Sequence, residues 1–199
     1  MLSQYSFLQI IYLFICKLRT FLINSKIRLI RFPIDIRNMS RIDFGKALTT
    51  GRGCRLEVVI LENNLQEKKL LIFGSNIQLN DYVHITAAEK VILEDNVLIA
   101  SKVYISDCSH GTYGKFDIND HPDTIPKDRK LYSMPVTIKK NVWIGEGVCV
   151  LMGVTIGEGS IIGSNAVVSK DIPSYSIAVG NPAKVIKKFD TNQQKWISV

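Results

Sequence analysis

The segment Val136–Val168 reads VTIKKNVWIGEGVCVLMGVTIGEGSIIGSNAVV, and its spacing decides the fold. An aliphatic residue returns at every sixth position: Ile138, Ile144, Val150, Ile156, Ile162 and Val168. Two positions ahead of each sits another small or apolar residue: Val136, Val142, Val148, Val154, Ser160 and Ala166. A helix repeats near 3.6 residues and a strand near 2, so a strict six fits neither a single helix nor a hairpin ladder. It fits a chain that turns a corner every few residues and returns above itself, with three short segments to a coil. No such coil buries its apolar face alone, so coils must stack into a parallel β-helix.

Outward from that stretch the same spacing recurs upstream. Leu93, Ile99 and Ile105 form a second run, preceded by Leu79 and Ile85, and Val91, Val97, Val103, Ile77 and Val83 occupy the companion positions. The pattern breaks at Ser106 and resumes at Pro135. The excursion between, residues 107–134, is rich in Asp, His, Pro and Lys; a long loop inside a regular solenoid is often functional. Gly145, Gly157 and Gly163 each follow an inward aliphatic residue, where a tight corner favours a residue without a Cβ or one tolerating positive φ. Asn141 and Asn165 suit other corners, since Asn tolerates left-handed geometry. Pro173 ends the second run, and Ile177–Phe189 reads as one closing strand.

Before the coils, residues 3–24 read as a helix, and Arg41–Leu56 turns β-like, with turn signals at Gly45, Gly51 and Gly53. Glu62–Lys69 reads as a charged loop. The resulting organisation is a helical basic extension over 1–41, a β-helix over 42–189 with its excursion at 107–134, and a tail over 190–199. The fold class is all-β, with one N-terminal helix.

With 199 residues and 46% hydrophobic content, the chain accommodates one well-buried domain plus an extension. Its net charge of +7 is lopsided: residues 1–41 hold Lys17, Arg19, Lys26, Arg28, Arg31, Arg37 and Arg41 against Asp35. A basic arm suits an anionic partner or simply a solvated surface. It carries no aromatic-studded recognition motif, so no nucleic acid is expected. The apolar run Tyr5–Cys16 lacks a preceding basic region and a cleavage site, which argues against a signal peptide. It is also shorter than the ~20 residues of a spanning helix. Packing on a β-helix end or a neighbouring subunit is the favoured reading, and peripheral membrane contact through residues 1–31 stays open. The cysteines Cys16, Cys54, Cys108 and Cys149 are irregularly spaced, which fits a reducing, cytoplasmic compartment better than disulfides or a metal site.

His110 stands where the first run ends and the excursion begins. A neutral imidazole there can take a proton from a hydroxyl or amine as it attacks an electrophile, and the competing reading is an ordinary loop histidine. His84 lies within a coil and His121 beside Pro122, where structural or solvent-facing roles are expected. A γ-type carbonic anhydrase shares the coil architecture but needs three metal-binding imidazoles. The spacing of 84, 110 and 121 does not suit it, so no metal is expected.

The stretch from Val136 through Lys170-Asp-Ile-Pro173, followed by Ala178-Val-Gly-Asn-Pro-Ala-Lys-Val-Ile186, resembles the left-handed β-helix acyltransferases. Within them it is similar to the galactoside, maltose and lipopolysaccharide O-acetyltransferase group. The resemblance covers roughly residues 71–189, and Thr49–Arg55 resembles the start of polysaccharide-modifying members. It implies acetyl-CoA as co-substrate, a carbohydrate acceptor, a homotrimer with sites at subunit interfaces, and His110 as general base in direct transfer to a hydroxyl. It implies Trp143 near the acceptor and the thioester arm, and Gly145, Ser164, Ser169 and Lys170 along the CoA arm. Lys184 and Lys187 match basic residues near the 3′-phosphate. Galactoside-type members use an asparagine near the acceptor where this chain has Thr86, a departure that leaves the acceptor contacts open. Asp107 is a further candidate there, as a carboxylate that could orient the His110 ring. N-acetylation of an amino sugar, or a non-catalytic β-helix scaffold, are the alternatives.

Overall fold

A computed structural model describes residues 5–61, 64–66, 68–115 and 118–199. Helix α1 (Phe7–Ile23) opens it, capped by Ser6 in a reciprocal capping box with Gln9. The coils then climb in register. The first holds β1 (Leu29–Ile30), β2 (Ile34–Arg37) and β3 (Ile42–Asp43). The second holds β4 (Thr49–Thr50), β5 (Cys54–Val58) and β6 (Leu71–Phe73), and the third β7 (Gln78–Leu79), β8 (His84–Ala87) and β9 (Val91–Leu93). The fourth begins with β10 (Leu98–Ile99) and β11 (Tyr104–Ser106). It leaves through β12 (Cys108–His110), β13 (Tyr113–Lys115), β14 (Ile118–Asn119) and β15 (Leu131–Ser133), and returns at β16 (Val136–Ile138). Above it lie β17 (Trp143–Ile144), β18 (Cys149–Val150) and β19 (Thr155–Ile156), then β20 (Ile161–Ile162) and β21 (Val167–Val168). The chain closes with β22 (Ser176–Val179), β23 (Lys184–Asp190) and β24 (Lys195–Ser198).

Every third coil strand stacks on the same face, and all coil-to-coil pairings are parallel. Face A runs β1-β4-β7-β10-β17-β20-β22, face B runs β2-β5-β8-β11-β18-β21, and face C runs β3-β6-β9-β16-β19. The result is a three-sided prism. Its interior is filled by the sixfold aliphatics: Ile138, Ile144, Val150, Ile156, Ile162 and Val168 are all fully buried. Each such side chain gains about 1.5–3 kcal/mol from burial.

The corners show two different reasons for their residue types. Asn76, Asn96, Asn141 and Asn165 hold φ near +60°, and their amides form a ladder from Asn76 to Asn96 (3.0 Å) to Asn141 (3.2 Å). Gly145, Gly157 and Gly163 are not left-handed. A Cβ on Gly145 would lie 2.7 Å from the Ser164 nitrogen, so there the glycine permits close stacking of coils.

The stack begins earlier than the sixfold signal suggests. β1, β2 and β3 pair with β4, β5 and β6, so residues from Leu29 already form coils and the boundary at 41/42 falls inside the first one. Thr50 sits inward where an aliphatic would mark the repeat, and the insertion between Val58 and Leu71 interrupts the count. Part of the expected loop Glu62–Lys69 lies outside the described residues. Its Asn64 is buried and ties Val59 to Ala88 through its amide. At the far end, the single closing strand is instead the antiparallel pair β22–β23, turning at the cis Asn181–Pro182 bond. The tail adds β24 against β23. α1 is shorter than the expected 3–24, and residues 3 and 4 lie outside the described residues.

Candidate active site

The excursion leaves the prism at the edge between faces B and C. β12 and β15 form a two-stranded antiparallel ribbon, with His110 opposite Leu131. Its base is seated by Ser109, whose hydroxyl lies 3.8 Å from the Met152 sulfur on the next coil. The His110 main chain is held closely. Its carbonyl accepts from the Tyr113 hydroxyl at 2.6 Å, and that hydroxyl in turn accepts from Arg129 at 2.8 Å. Gly111 follows with φ +86° and donates to the Lys130 carbonyl at 2.9 Å. A Cβ there would press on the Tyr113 hydroxyl at 2.8 Å. The His110 side chain is exposed, and among the described residues no hydrogen bond engages its ring. A held backbone carrying an imidazole that no described residue engages leaves that ring able to accept a proton.

Asp107 does not orient that ring. It is 0% exposed, and its carboxylate accepts the backbone N–H groups of Ala88, Glu89 and Lys90, each at 2.7 Å. Burial pushes its carboxyl up, against the pull of those three donors. Asp107 therefore pins the corner of the coil below, and the expectation that it touches acceptor or imidazole is corrected. Burial likewise raises the neighbouring Cys108 thiol, which stays protonated near neutrality and is a weak nucleophile.

Thr86 is also redirected. It is 7% exposed, and its hydroxyl donates to Glu57 at 2.9 Å. The His84 ring nitrogen lies 3.1 Å from both Glu57 and Thr86, and Arg55 pairs with the second Glu57 oxygen. Burial alone would raise the Glu57 carboxyl; bonds from His84, Arg55 and Thr86 outweigh it and hold the carboxyl below its ordinary value. Thr86 thus offers no free hydroxyl to an acceptor. The half-buried Arg55 and His84, with the exposed Tyr104 edge-on to His84 at 5.2 Å, form the outer part of that cluster on face B. The reading of sequence assigned His84 a structural or solvent-facing role and did not single out Glu57. The signal available was their alignment across coils, where Arg55 pairs with His84 and Glu57 with Thr86, but only the register reveals it.

The remaining candidates fall in three places. Trp143 is 49% exposed on face A, between Leu98 and Ile161 of adjacent coils, confirming an outward slot. Gly145 and Ser164 meet at the edge between faces A and B. Lys184 and Lys187 are exposed on β23, opposite Val179 and Ile177 of face A. Ser169 and Lys170 follow β21 and lie instead at the B/C edge, above the ribbon that carries His110. In a triangular section the B/C edge is opposite face A. One chain therefore does not bring His110 and Trp143 together. His121 is exposed in the excursion, its ring nitrogen 3.5 Å from Asp123. Among the described residues no group of three or more His, Cys, Asp or Glu is gathered for a metal ion.

Comparison with known proteins agrees with this architecture. The bacterial transferase hexapeptide (six repeats) family matches residues 135–170. The chain is 41% identical over 169 residues to the Escherichia coli (strain K12) protein named "Putative lipopolysaccharide biosynthesis O-acetyl transferase WbbJ", covering 85% of this chain and 83% of that one. It is 36% identical over 123 residues to galactoside O-acetyltransferase of the same strain, covering 62% and 56% respectively. Among solved structures, AntD, an N-acyltransferase from Bacillus cereus in complex with dTDP and 3-hydroxybutyryl-CoA, superposes with a TM-score of 0.67 at 20% identity, covering 85% and 83%. The three-sided stack is thus the left-handed parallel β-helix, and the chain belongs to the hexapeptide-repeat acyltransferases, enzymes that share this fold.

Proposed function

We propose that the chain transfers the acetyl group of acetyl-CoA to a hydroxyl of a sugar or polysaccharide unit, in the synthesis of a surface glycan such as lipopolysaccharide. His110 takes the proton of the acceptor hydroxyl as its oxygen attacks the thioester carbonyl. The tetrahedral adduct collapses, the C–S bond breaks, and the proton passes from the imidazolium to the departing CoA sulfur. No acyl-enzyme forms; the protonated, half-buried Cys108 supports direct transfer. The observation that carries this reading is the exposed His110 ring, which no described residue engages, on a main chain held by Tyr113 and Lys130. The names of the relatives at 41% and 36% identity favour oxygen over nitrogen as the acceptor atom.

The division of candidate residues supports a homotrimer. His110, Ser169 and Lys170 lie at one edge, whereas Trp143 and the β23 lysines lie on the opposite face. A threefold assembly sets the edge of one copy against the face of the next and closes three equivalent sites. Trp143 would give a flat apolar wall to the acceptor and pantetheine arm. Gly145 and Ser164 would line the arm's course, and Lys184 and Lys187 would meet the 3′-phosphate as point charges. The place of work is cytoplasmic, where acetyl-CoA is supplied.

The test is thiol release from acetyl-CoA against a panel of neutral sugars, amino sugars and glycans, with wild type and His110→Ala compared. Release that depends on a hydroxyl acceptor and falls ~10²-fold or more in the variant supports the proposal. Release confined to amino sugars would replace it with N-acetylation, and an absence of acetyl-CoA binding would leave only a scaffold.

A further inference from the structure

Helix α1 is built inside out. An ordinary surface helix buries its apolar stripe and shows water its polar one. Here the residues buried against the coils are Cys16 and Thr20. Thr20 donates its hydroxyl to the Cys16 carbonyl (2.7 Å) and accepts the Ile30 N–H (2.8 Å), which ties α1 to the edge of β1. Tyr12 donates to the Phe32 carbonyl at 2.7 Å. The opposite side carries Phe7, Leu8, Phe14, Leu18, Phe21 and Leu22, each at least half exposed. At about 100° per residue, these side chains with Ile11 and Ile15 cover an arc of roughly 140°.

Charge frames that arc. Lys17 and Arg19 project on its two margins. Lys17 donates to the Arg28 carbonyl at 2.7 Å, and the Arg19 guanidinium lies 3.8 Å over the Phe32 ring. Lys17, Lys26, Arg28 and Lys46, with Asp43 the single acid, line a cleft of about 900 Å³ at the C-terminal end of α1. Five cations, Lys17, Arg19, Lys26, Arg28 and Arg31, precede the first acidic residue, Asp35.

We infer that α1 docks the protein flat on an anionic lipid bilayer, its aromatic and aliphatic arc in the acyl boundary and its marginal cations at the lipid phosphates. Two features select a bilayer over a second copy of the chain, and a third selects lying in it over spanning it. The arc is wider than the narrow seam by which helices pair. Cations on both margins would face like charges across a paired helix, whereas anionic headgroups neutralise them. At 17 residues α1 is about 26 Å long, and no helix among the described residues is long and apolar enough to cross a membrane, so lying in the interface is the geometry left to it. The substrate consequence is an acceptor presented at the membrane surface, such as a lipid-linked glycan; that clause rests on the acetyl-transfer reading, while the docking itself does not.

The experiment is co-sedimentation of the full chain with vesicles of phosphatidylcholine alone or with phosphatidylglycerol, alongside its molar mass in solution and thiol release with a soluble acceptor. The expected result is binding to the anionic vesicles that weakens with salt and falls ~10-fold or more in Phe14→Ser/Leu18→Ser, with smaller losses in Lys17→Gln/Arg19→Gln. Soluble acetyl transfer should be unchanged in both, and thermal unfolding unchanged in Phe14→Ser/Leu18→Ser, whose altered side chains are exposed, which separates failure of docking from failure of the catalytic reading. Absent binding by wild type, or equal binding by Phe14→Ser/Leu18→Ser, overturns the inference. A drop in molar mass with the serine variant and no vesicle binding overturns it in favour of contacts between copies.

Discussion

Face A and the B/C edge are made by the same repeat, yet they have opposite characters. Face A is smooth: Leu98, Trp143, Ile161 and Ile177 stand in one outward column, one per coil, and continue into Lys187. The B/C edge is interrupted, because the fourth coil leaves it for residues 107–134 and sets His110 on a ribbon of its own. A regular column supplies a wall for a long, thin ligand, and an interruption supplies a chemical group that no regular coil could hold clear of its neighbours. The two lie on opposite sides of one prism, so under the proposed trimer a single chain would carry two halves of different sites.

Three substitutions probe the two halves. His110→Ala should lower kcat by ~10²–10⁴-fold without changing thermal stability, because its ring makes no hydrogen bond among the described residues; steady-state thiol release and a melting curve check this. Trp143→Ala should raise KM for acetyl-CoA about 10-fold, roughly 1.4 kcal/mol, with a smaller change in kcat. Asp107→Asn should act in the reverse sense to His110→Ala. It sets an amide N–H₂ against backbone donors, costing about 1–3 kcal/mol in denaturant unfolding, while activity per folded molecule is retained.

The smallest effect concerns Glu57. Its carboxyl is held below its ordinary value in the folded state, so the stability it contributes is present above an unfolded pKa of about 4.3 and is lost as pH falls through the lower folded value. Glu57→Gln should therefore narrow the gap in unfolding midpoint between pH 6 and pH 3. An unchanged gap would mean the Arg55–Glu57–His84 cluster does not hold the carboxylate.

The two halves were unequally legible in the sequence. Face A is written in the sixfold spacing itself: Ile144 and Ile162 inward fix Trp143 and Ile161 outward. His110 was found because the spacing fails beside it. Asp107 was misread because adjacency to His110 in sequence says nothing about which coil a side chain faces. Thr86, placed by resemblance to an acceptor asparagine, was misread because an aligned position does not say what that side chain touches. Asp107 turns to Ala88–Lys90 and Thr86 to Glu57, contacts set by stacking across 17–29 residues. The first coil was hidden by a polar inward residue, Thr50, and by the insertion after Val58. The polarity of α1 was hidden too, since an apolar helix reads as buried until the faces of Cys16 and Thr20 are located.

The central claim, a site shared between two copies, is tested most directly by complementation. His110→Ala and Trp143→Asp proteins, each impaired alone, are dissociated, mixed in equal amounts and reassembled, and thiol release is read at low acetyl-CoA. Random reassembly places an intact His110 opposite an intact Trp143 in roughly a quarter of the sites, so about a quarter of wild-type activity should return. If the mixture is no more active than the better of its two components, His110 and Trp143 do not act across a subunit boundary and the account is contradicted.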